Sequence, residues 1–204
     1  MKFNAIALFC GSSDGKSRYG DIATAFGKQC AERNITLIYG GASIGLMGKA
    51  ATEALKNGGK VIGIAPSFFT PGTVLADFLP EMILVDSMSE RKQLFEKMAD
   101  AFVALPGSFG TMDELFEALT NAQLGLHQKP IAILNAYGYY DHLIAQLAHF
   151  EKEGFLHTSH RQLLLIADDM DTLFAKIEQY QYPDQKEWLS KIKTAILLCV
   201  AIKN

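Results

Sequence analysis

Seven short apolar runs punctuate this chain, each unbroken rather than alternating: AIALFC (5–10), TLIYG (36–40), KVIGIA (60–65), MILVD (82–86), AFVALP (101–106), IAILN (131–135) and LLLIAD (163–168). A strand with one face in water alternates apolar and polar residues, so continuous runs imply strands covered on both faces. Between most of them lie ten to twenty residues of helical period. Strands and helices in that alternation predict a doubly wound α/β domain, a mostly parallel sheet of about seven strands flanked by helices. The 204 residues show no repeat, low-complexity tract or linker, so a single domain over 1–204 is expected. The apolar tail TAILLCVAI (194–202) has nine residues, too few to cross a bilayer as a helix, and reads as a C-terminal helix packed on the core or burying a subunit contact.

A net charge of −3 gives no general electrostatic reason to bind nucleic acid or an anionic membrane, so any anionic ligand needs a local site. Cys10, Cys30 and Cys199 are odd in number and far apart, without the short paired spacings of disulfide frameworks or metal sites. They suit a reducing cytosol, and the opening MKFNAIALFCGSSDG has too short an apolar run for a signal sequence. A cytoplasmic protein is therefore expected. Of five histidines only His157 and His160 are close, and solvated or core roles are expected for them rather than metal binding.

In open α/β sheets ligands bind beyond the carboxyl ends of the strands, near the point where strand order reverses. Four candidate strands end suggestively: CGSSDG after the first, YGGASIGLMG after the second, DSMSERK after the fourth and PGSFGT after the fifth. All four should crowd one edge. In PGSFGT, Gly107 and Gly110 permit backbone angles closed to other residues, so amides could converge on a phosphate while the next helix directs its positive end there. The plainer reading is a tight strand-to-helix turn with Thr111 as N-cap. GGASIGLMG fits a dinucleotide fingerprint only in part, because Ala42 replaces the second glycine and no acid ends the following strand. Neither turn holds the Gly-Lys-Ser/Thr of a triphosphate loop.

Two charged residues stand out. Thr111 to Glu114 matches a capping box, in which Glu114 would bond back to the Thr111 backbone. With Met112, Leu115, Phe116, Leu119 and Ala122 as the buried stripe, Glu114 lies about a quarter turn off its centre, free to look along the sheet edge as a catalytic acid or base. On SMSERKQLFEKMA, Met88, Leu94, Phe95, Met98 and Ala99 define an apolar arc with Arg91 in its middle. An inward arginine needs a partner, since an unpaired buried charge costs several kcal/mol. That partner is a neighbouring acid, a ligand phosphate or a catalytic carboxylate. Lys92, at the polar border, is a solvated lysine or a second phosphate contact.

YGGASIGLMG, MSERK and above all PGSFGTMDE resemble the LONELY GUY family of cytokinin-activating nucleotide phosphoribohydrolases, often labelled lysine-decarboxylase-like, whose hallmark is PGGxGTxxE. The match runs from FCGSS through TNAQLGLHQKPIAILNAYGYYD, roughly the first 150 residues. The resemblance implies a Rossmann-like homodimer or higher homo-oligomer that needs no metal or cofactor. It implies hydrolysis of the N-glycosidic bond of a nucleoside 5'-monophosphate to free base and ribose 5-phosphate, with Arg91 and Glu114 catalytic. The family's phosphate and ribose contacts map to Lys92, to Gly107, Ser108, Phe109, Gly110 and Thr111, and to Thr120. Gly11, Ser12, Gly41, Met88 and Asp113 complete the expected binding surface. Ser108 departs from the hallmark's second glycine. A positive φ there would strain serine, whereas a need only for close backbone approach would let Ser108 Oγ add a donor. A carrier of nucleotide or cofactor with the same fold and no chemistry is the alternative, and a purine nucleotide nucleosidase unconnected with cytokinins is a third. The decarboxylase label needs a Schiff-base lysine with a ring-nitrogen partner, and the sequence offers no such pair. Base contacts are expected in PSFFTPGTVLADFLP (66–80) and on a partner subunit.

Overall fold

The computed structural model of the protein describes residues 3–69 and 75–184. The expected C-terminal helix and Cys199 lie outside the described residues, as do positions 70–74 of the segment expected to contact the base. Within them, all seven apolar runs are strands: β1 (Ala5–Phe9), β2 (Thr36–Tyr39), β3 (Val61–Pro66), β4 (Met82–Val85), β5 (Ala101–Ala104), β6 (Ile131–Leu134) and β7 (Leu164–Ala167). They form one sheet in the order β4-β3-β2-β1-β5-β6-β7. Every pairing is parallel.

Helices α1 (Ser17–Glu32), α2 (Gly45–Lys56) and α7 (Met170–Glu178) cover one face, burying Phe26, Leu46, Ala50 and Phe174 against Leu37, Tyr39 and Val103. The other face is covered by α3 (Met88–Met98), α4 (Phe109–Gln123) and α5 (Asp141–Lys152), with Phe95, Leu115, Ala118 and Leu147 packed on Phe9, Ile64 and Phe102. A single turn, α6 (Thr158–Arg161), precedes β7. Burial on both sides explains why the strands carry no alternation: β3, β5 and β6 are buried at every residue.

The chain winds outward from β1 to β4 and then restarts at β5 on the other side of β1, so the switch point lies between β1 and β5. Three loops are knitted together there. Gly11 N donates to Pro106 O at 3.0 Å, and Leu46 N donates to Gly11 O at 3.1 Å, tying the ends of β1 and β5 to the start of α2.

Candidate active site

Arg91 is held from three sides. Its helix begins where Ser87 Oγ accepts from Glu90 N at 3.1 Å, which places Arg91 in the first turns, over the sheet edge. Nε donates to Ile64 O of β3 at 2.9 Å, Nη1 contacts Met88 Sδ at 3.7 Å, and the guanidinium lies 5.1 Å from the Phe95 ring centroid. The inward arginine read from the apolar arc is therefore buried, and its charge is met by Glu114: Arg91 Nη1 lies 3.3 Å from Glu114 Oε1. Gly40, at the end of β2, makes this possible. A Cβ there would stand 2.1 Å from Arg91 Nη2.

Glu114 does not cap its helix. The capping-box reading placed the helix start at Thr111, but α4 begins at Phe109 with Ser108 at the N-cap, so Glu114 is already on the second turn. The buried stripe is correspondingly rotated. Thr111, Glu114, Leu115, Ala118 and Ala122 face inward, putting Glu114 within the stripe rather than beside it, while Phe116 is exposed. Phe116 is apolar for a different reason: with Leu119, which also packs against the core, it lines a groove shared with α5. Burial pushes the Glu114 carboxyl up to about 7, with Arg91 and Lys92 pulling it down and Asp113 and Glu117 pushing it up. Desolvation outweighs the pairing with Arg91, and the carboxyl changes charge near neutrality.

The loop before α4 is a cradle built by close approach rather than by unusual dihedrals. Gly107 and Gly110 have no left-handed φ, contrary to the expectation from PGSFGT. Gly107 is required because a Cβ would come within 2.0 Å of Thr111 Oγ1 and 2.9 Å of Gly11 N, and a Cβ at Gly110 would meet open space. Ser108 has φ −115°, so the left-handed conformation that would strain a serine in place of glycine is not adopted. No side chain caps α4, so its first amides stay available at the positive end of the helix. They open beside a cavity of about 220 Å³ lined by Gly11, Ser12, Tyr19, Gly107, Ser108 and Tyr139. Tyr139 Oη donates to Gly107 O at 2.6 Å and Tyr140 Oη to Leu105 O at 2.6 Å, bracing the loop from the β6–α5 connection.

A buried arginine–carboxylate pair at a switch point, next to an uncapped helix start, can be set beside known proteins. The family described as "Possible lysine decarboxylase" matches residues 47–177. A cytokinin riboside 5'-monophosphate phosphoribohydrolase of Arabidopsis thaliana is 43% identical over 181 residues, 88% of this chain and 84% of the relative. The chain belongs to this phosphoribohydrolase family. A second Arabidopsis thaliana phosphoribohydrolase is 40% identical over 193 residues, covering 94% of this chain and 90% of its own. Solved structures share the fold at lower identity. The molybdenum cofactor binding protein of Rippkaea orientalis aligns with TM-score 0.66 at 23% identity over 87% of this chain and 97% of its own. The molybdenum cofactor carrier protein of Chlamydomonas reinhardtii gives 0.65 at 22% over 87% and 98%.

The other positions expected from the phosphoribohydrolase resemblance divide into two groups. Gly11, Ser12, Gly107 and Ser108 gather at the cavity, Thr111 is buried behind it, and Phe109 projects into solvent, 92% exposed. Met88 lies against Arg91, and Gly41, in the left-handed region at φ 76°, follows Gly40 at the end of β2. Lys92 and Asp113 instead pair with each other at 3.1 Å. Thr120 is turned away: it is exposed, its Oγ1 donates to Phe116 O at 2.7 Å, and it lines the groove between α4 and α5. Sequence reasoning missed Gly40, whose partner is far along the chain, and Tyr139, although NAYGYYD was part of the phosphoribohydrolase match. Among the described residues no group of three or more His, Cys, Asp or Glu could hold a metal ion. His157 accepts from Ser159 N as the N-cap of α6, and His127 Nε2 lies 3.1 Å from Ala118 O, both structural roles.

Proposed function

We infer that the protein hydrolyses the N-glycosidic bond of a nucleoside 5'-monophosphate, a cytokinin riboside 5'-monophosphate or AMP, releasing free base and ribose 5-phosphate. The observation that carries this reading is the buried Arg91–Glu114 pair beside the uncapped start of α4. The 5'-phosphate sits against the amides of the 107–111 loop, where the helix supplies positive potential and Ser108 Oγ can donate. The ribose then lies toward Glu114. As the C–N bond breaks, its electron pair leaves with the base and positive charge grows on the sugar, which the carboxylate stabilises. The same carboxylate takes a proton from the water whose oxygen bonds to the sugar carbon, that proton passes on to the departing base, and a group titrating near 7 is suited to the exchange at neutral pH. Arg91 anchors phosphate and fixes the carboxylate by charge-assisted pairing.

Other nucleophiles are disfavoured on physical grounds. Burial, with the Glu114 charge adding to it, pushes the Cys10 thiol far above its usual range, so it stays protonated. A Schiff-base role for Lys92 would need a neutral amine, whereas its hydrogen bond to Glu117, and behind it Asp113, raise its affinity for the proton. The exposed apolar groove of about 420 Å³ formed by Phe116, Leu119, Leu147, Phe150, Phe155 and Leu156 supports a homodimer or larger homo-oligomer. Free, buried Cys10 and Cys30 accord with a cytosolic protein, and no helix among the described residues is long and apolar enough to cross a membrane.

The test is incubation with AMP and, separately, with isopentenyladenosine monophosphate, followed by chromatography for free base. Release of adenine or isopentenyladenine with ribose 5-phosphate is expected, and the better substrate defines base preference. Tight nucleotide binding with every molecule recovered intact would contradict the reading and leave the carrier alternative.

A further inference from the structure

The helices that present the pair, α3 and α4, are joined by a ladder of polar contacts. Arg91 meets Glu114; one residue on, Lys92 Nζ lies 3.1 Å from Asp113 Oδ2 and also pairs with Glu117; further along, Asn121 Nδ2 donates to Glu96 Oε2 at 2.6 Å. The rungs climb both helices in the same direction. Asp113 precedes Glu114 in the chain and Glu117 follows it by about one turn, so two carboxylates flank the one that faces the sugar. Lys92 is the cation that meets both, with its side chain only 17% exposed. Beneath the rungs, Phe9, Phe95, Phe102 and Ala118 form an apolar floor, leaving a crevice of about 20 Å³ that also touches Lys92 and Glu114. That volume holds about one water. Little slack remains between the two helices at this level.

We propose that Lys92 is a positioning residue: by pairing with Asp113 and Glu117 it holds α3 against α4 and sets the separation of Arg91 and Glu114. The proposal rests on Arg91 and Glu114 being the reacting pair. Without the ammonium, three carboxylates on adjacent turns of α4 face α3 with Arg91 alone to meet them, and their mutual repulsion moves Glu114 off its partner. A displacement of about 1 Å costs on the order of 10²-fold in rate, whereas loss of a phosphate contact weakens binding at constant turnover.

Charge reversal across the ladder separates these roles. With AMP as substrate, Lys92→Met is expected to lower kcat by about 10- to 100-fold with KM changed by less than about threefold. Lys92→Glu should be worse. The double variant Lys92→Glu/Glu117→Lys restores the ion pair with the charges exchanged, and at least a tenfold recovery of kcat over Lys92→Glu is expected. A rise in KM at constant kcat for Lys92→Met, or no recovery in the exchanged variant, would overturn the proposal. A crystal structure of Lys92→Met reads the clamp without turnover. Arg91 and Glu114 drawn apart beyond their 3.3 Å support it, and an unmoved pair contradicts it. Failure of the wild-type protein to release base from either AMP or isopentenyladenosine monophosphate, with the pair drawn apart in that crystal structure, would refute the catalytic reading and leave the clamp standing.

Discussion

A side chain at position 40 would occupy the space of the Arg91 guanidinium, so the absence of one there is part of the site. Gly40→Ala is expected to cut kcat/KM by about 10²-fold through displacement of Arg91, and to cost about 1–3 kcal/mol from overpacking, checked by steady-state kinetics and thermal melts. Glu114 is surrounded by Arg91 and Lys92 from α3, Asp113 and Glu117 from α4 and Cys10 after β1, and burial still sets the balance, at about 7. In the proposed role of proton acceptor it must be ionised, so kcat is expected to fall about tenfold per pH unit below about 7 and to level off above. The stability sign is opposite. A carboxyl raised above its ordinary 4.5 contributes its stabilisation fully below that value and loses it as pH rises through about 7, so Glu114→Gln should flatten the pH dependence of Tm across that window. The apolar arc around Arg91 was visible in the sequence because a charge at a core position breaks a periodic pattern. Gly40 was not, since a glycine shaped by a side chain distant along the chain leaves no local mark.

At the scale of elements, strands were easier to place than helix starts. Unbroken apolar runs identify strands buried on both faces, and all seven fell within two residues of the expected spans. The start of α4 was misplaced because Thr-x-x-Glu reads the same in sequence whether its threonine is the N-cap or, as here, the N-cap is Ser108, three residues earlier. The rotated stripe has a similar cause: apolar residues that face a groove are indistinguishable by period from those that face the core. Dihedrals at the loop were also beyond the sequence, where the glycines suggested positive φ and the chain used close approach instead. Tyr139 braces that loop through a single hydrogen bond to Gly107 O. Tyr139→Phe is expected to raise KM for the monophosphate about three- to tenfold with kcat little changed, because the bond, with a net value of about 1 kcal/mol, steadies the loop proposed to hold phosphate and not the Arg91–Glu114 pair.

At the scale of the molecule, the strand order brings the carboxyl ends of β1 and β5 together and places every candidate loop at one edge, as a doubly wound chain requires. That followed from the order of the apolar runs alone. The groove proposed as a subunit contact did not, because it opens between the successive helices α4, α5 and α6, whose outer apolar residues carry the same period as core ones. Phe155, 87% exposed beside that groove, is a sensitive point. If the groove is a subunit contact, Phe155→Glu shifts the protein toward monomer in sedimentation velocity, and an unchanged sedimentation coefficient would contradict a contact there. The central claim is that one carboxylate performs the chemistry while the helix start holds the phosphate, and Glu114→Gln separates the two. Measured together on that variant, AMP affinity by calorimetry should stay within about threefold of wild type while kcat falls by at least about 10³-fold. Turnover retained at the wild-type rate would contradict the account.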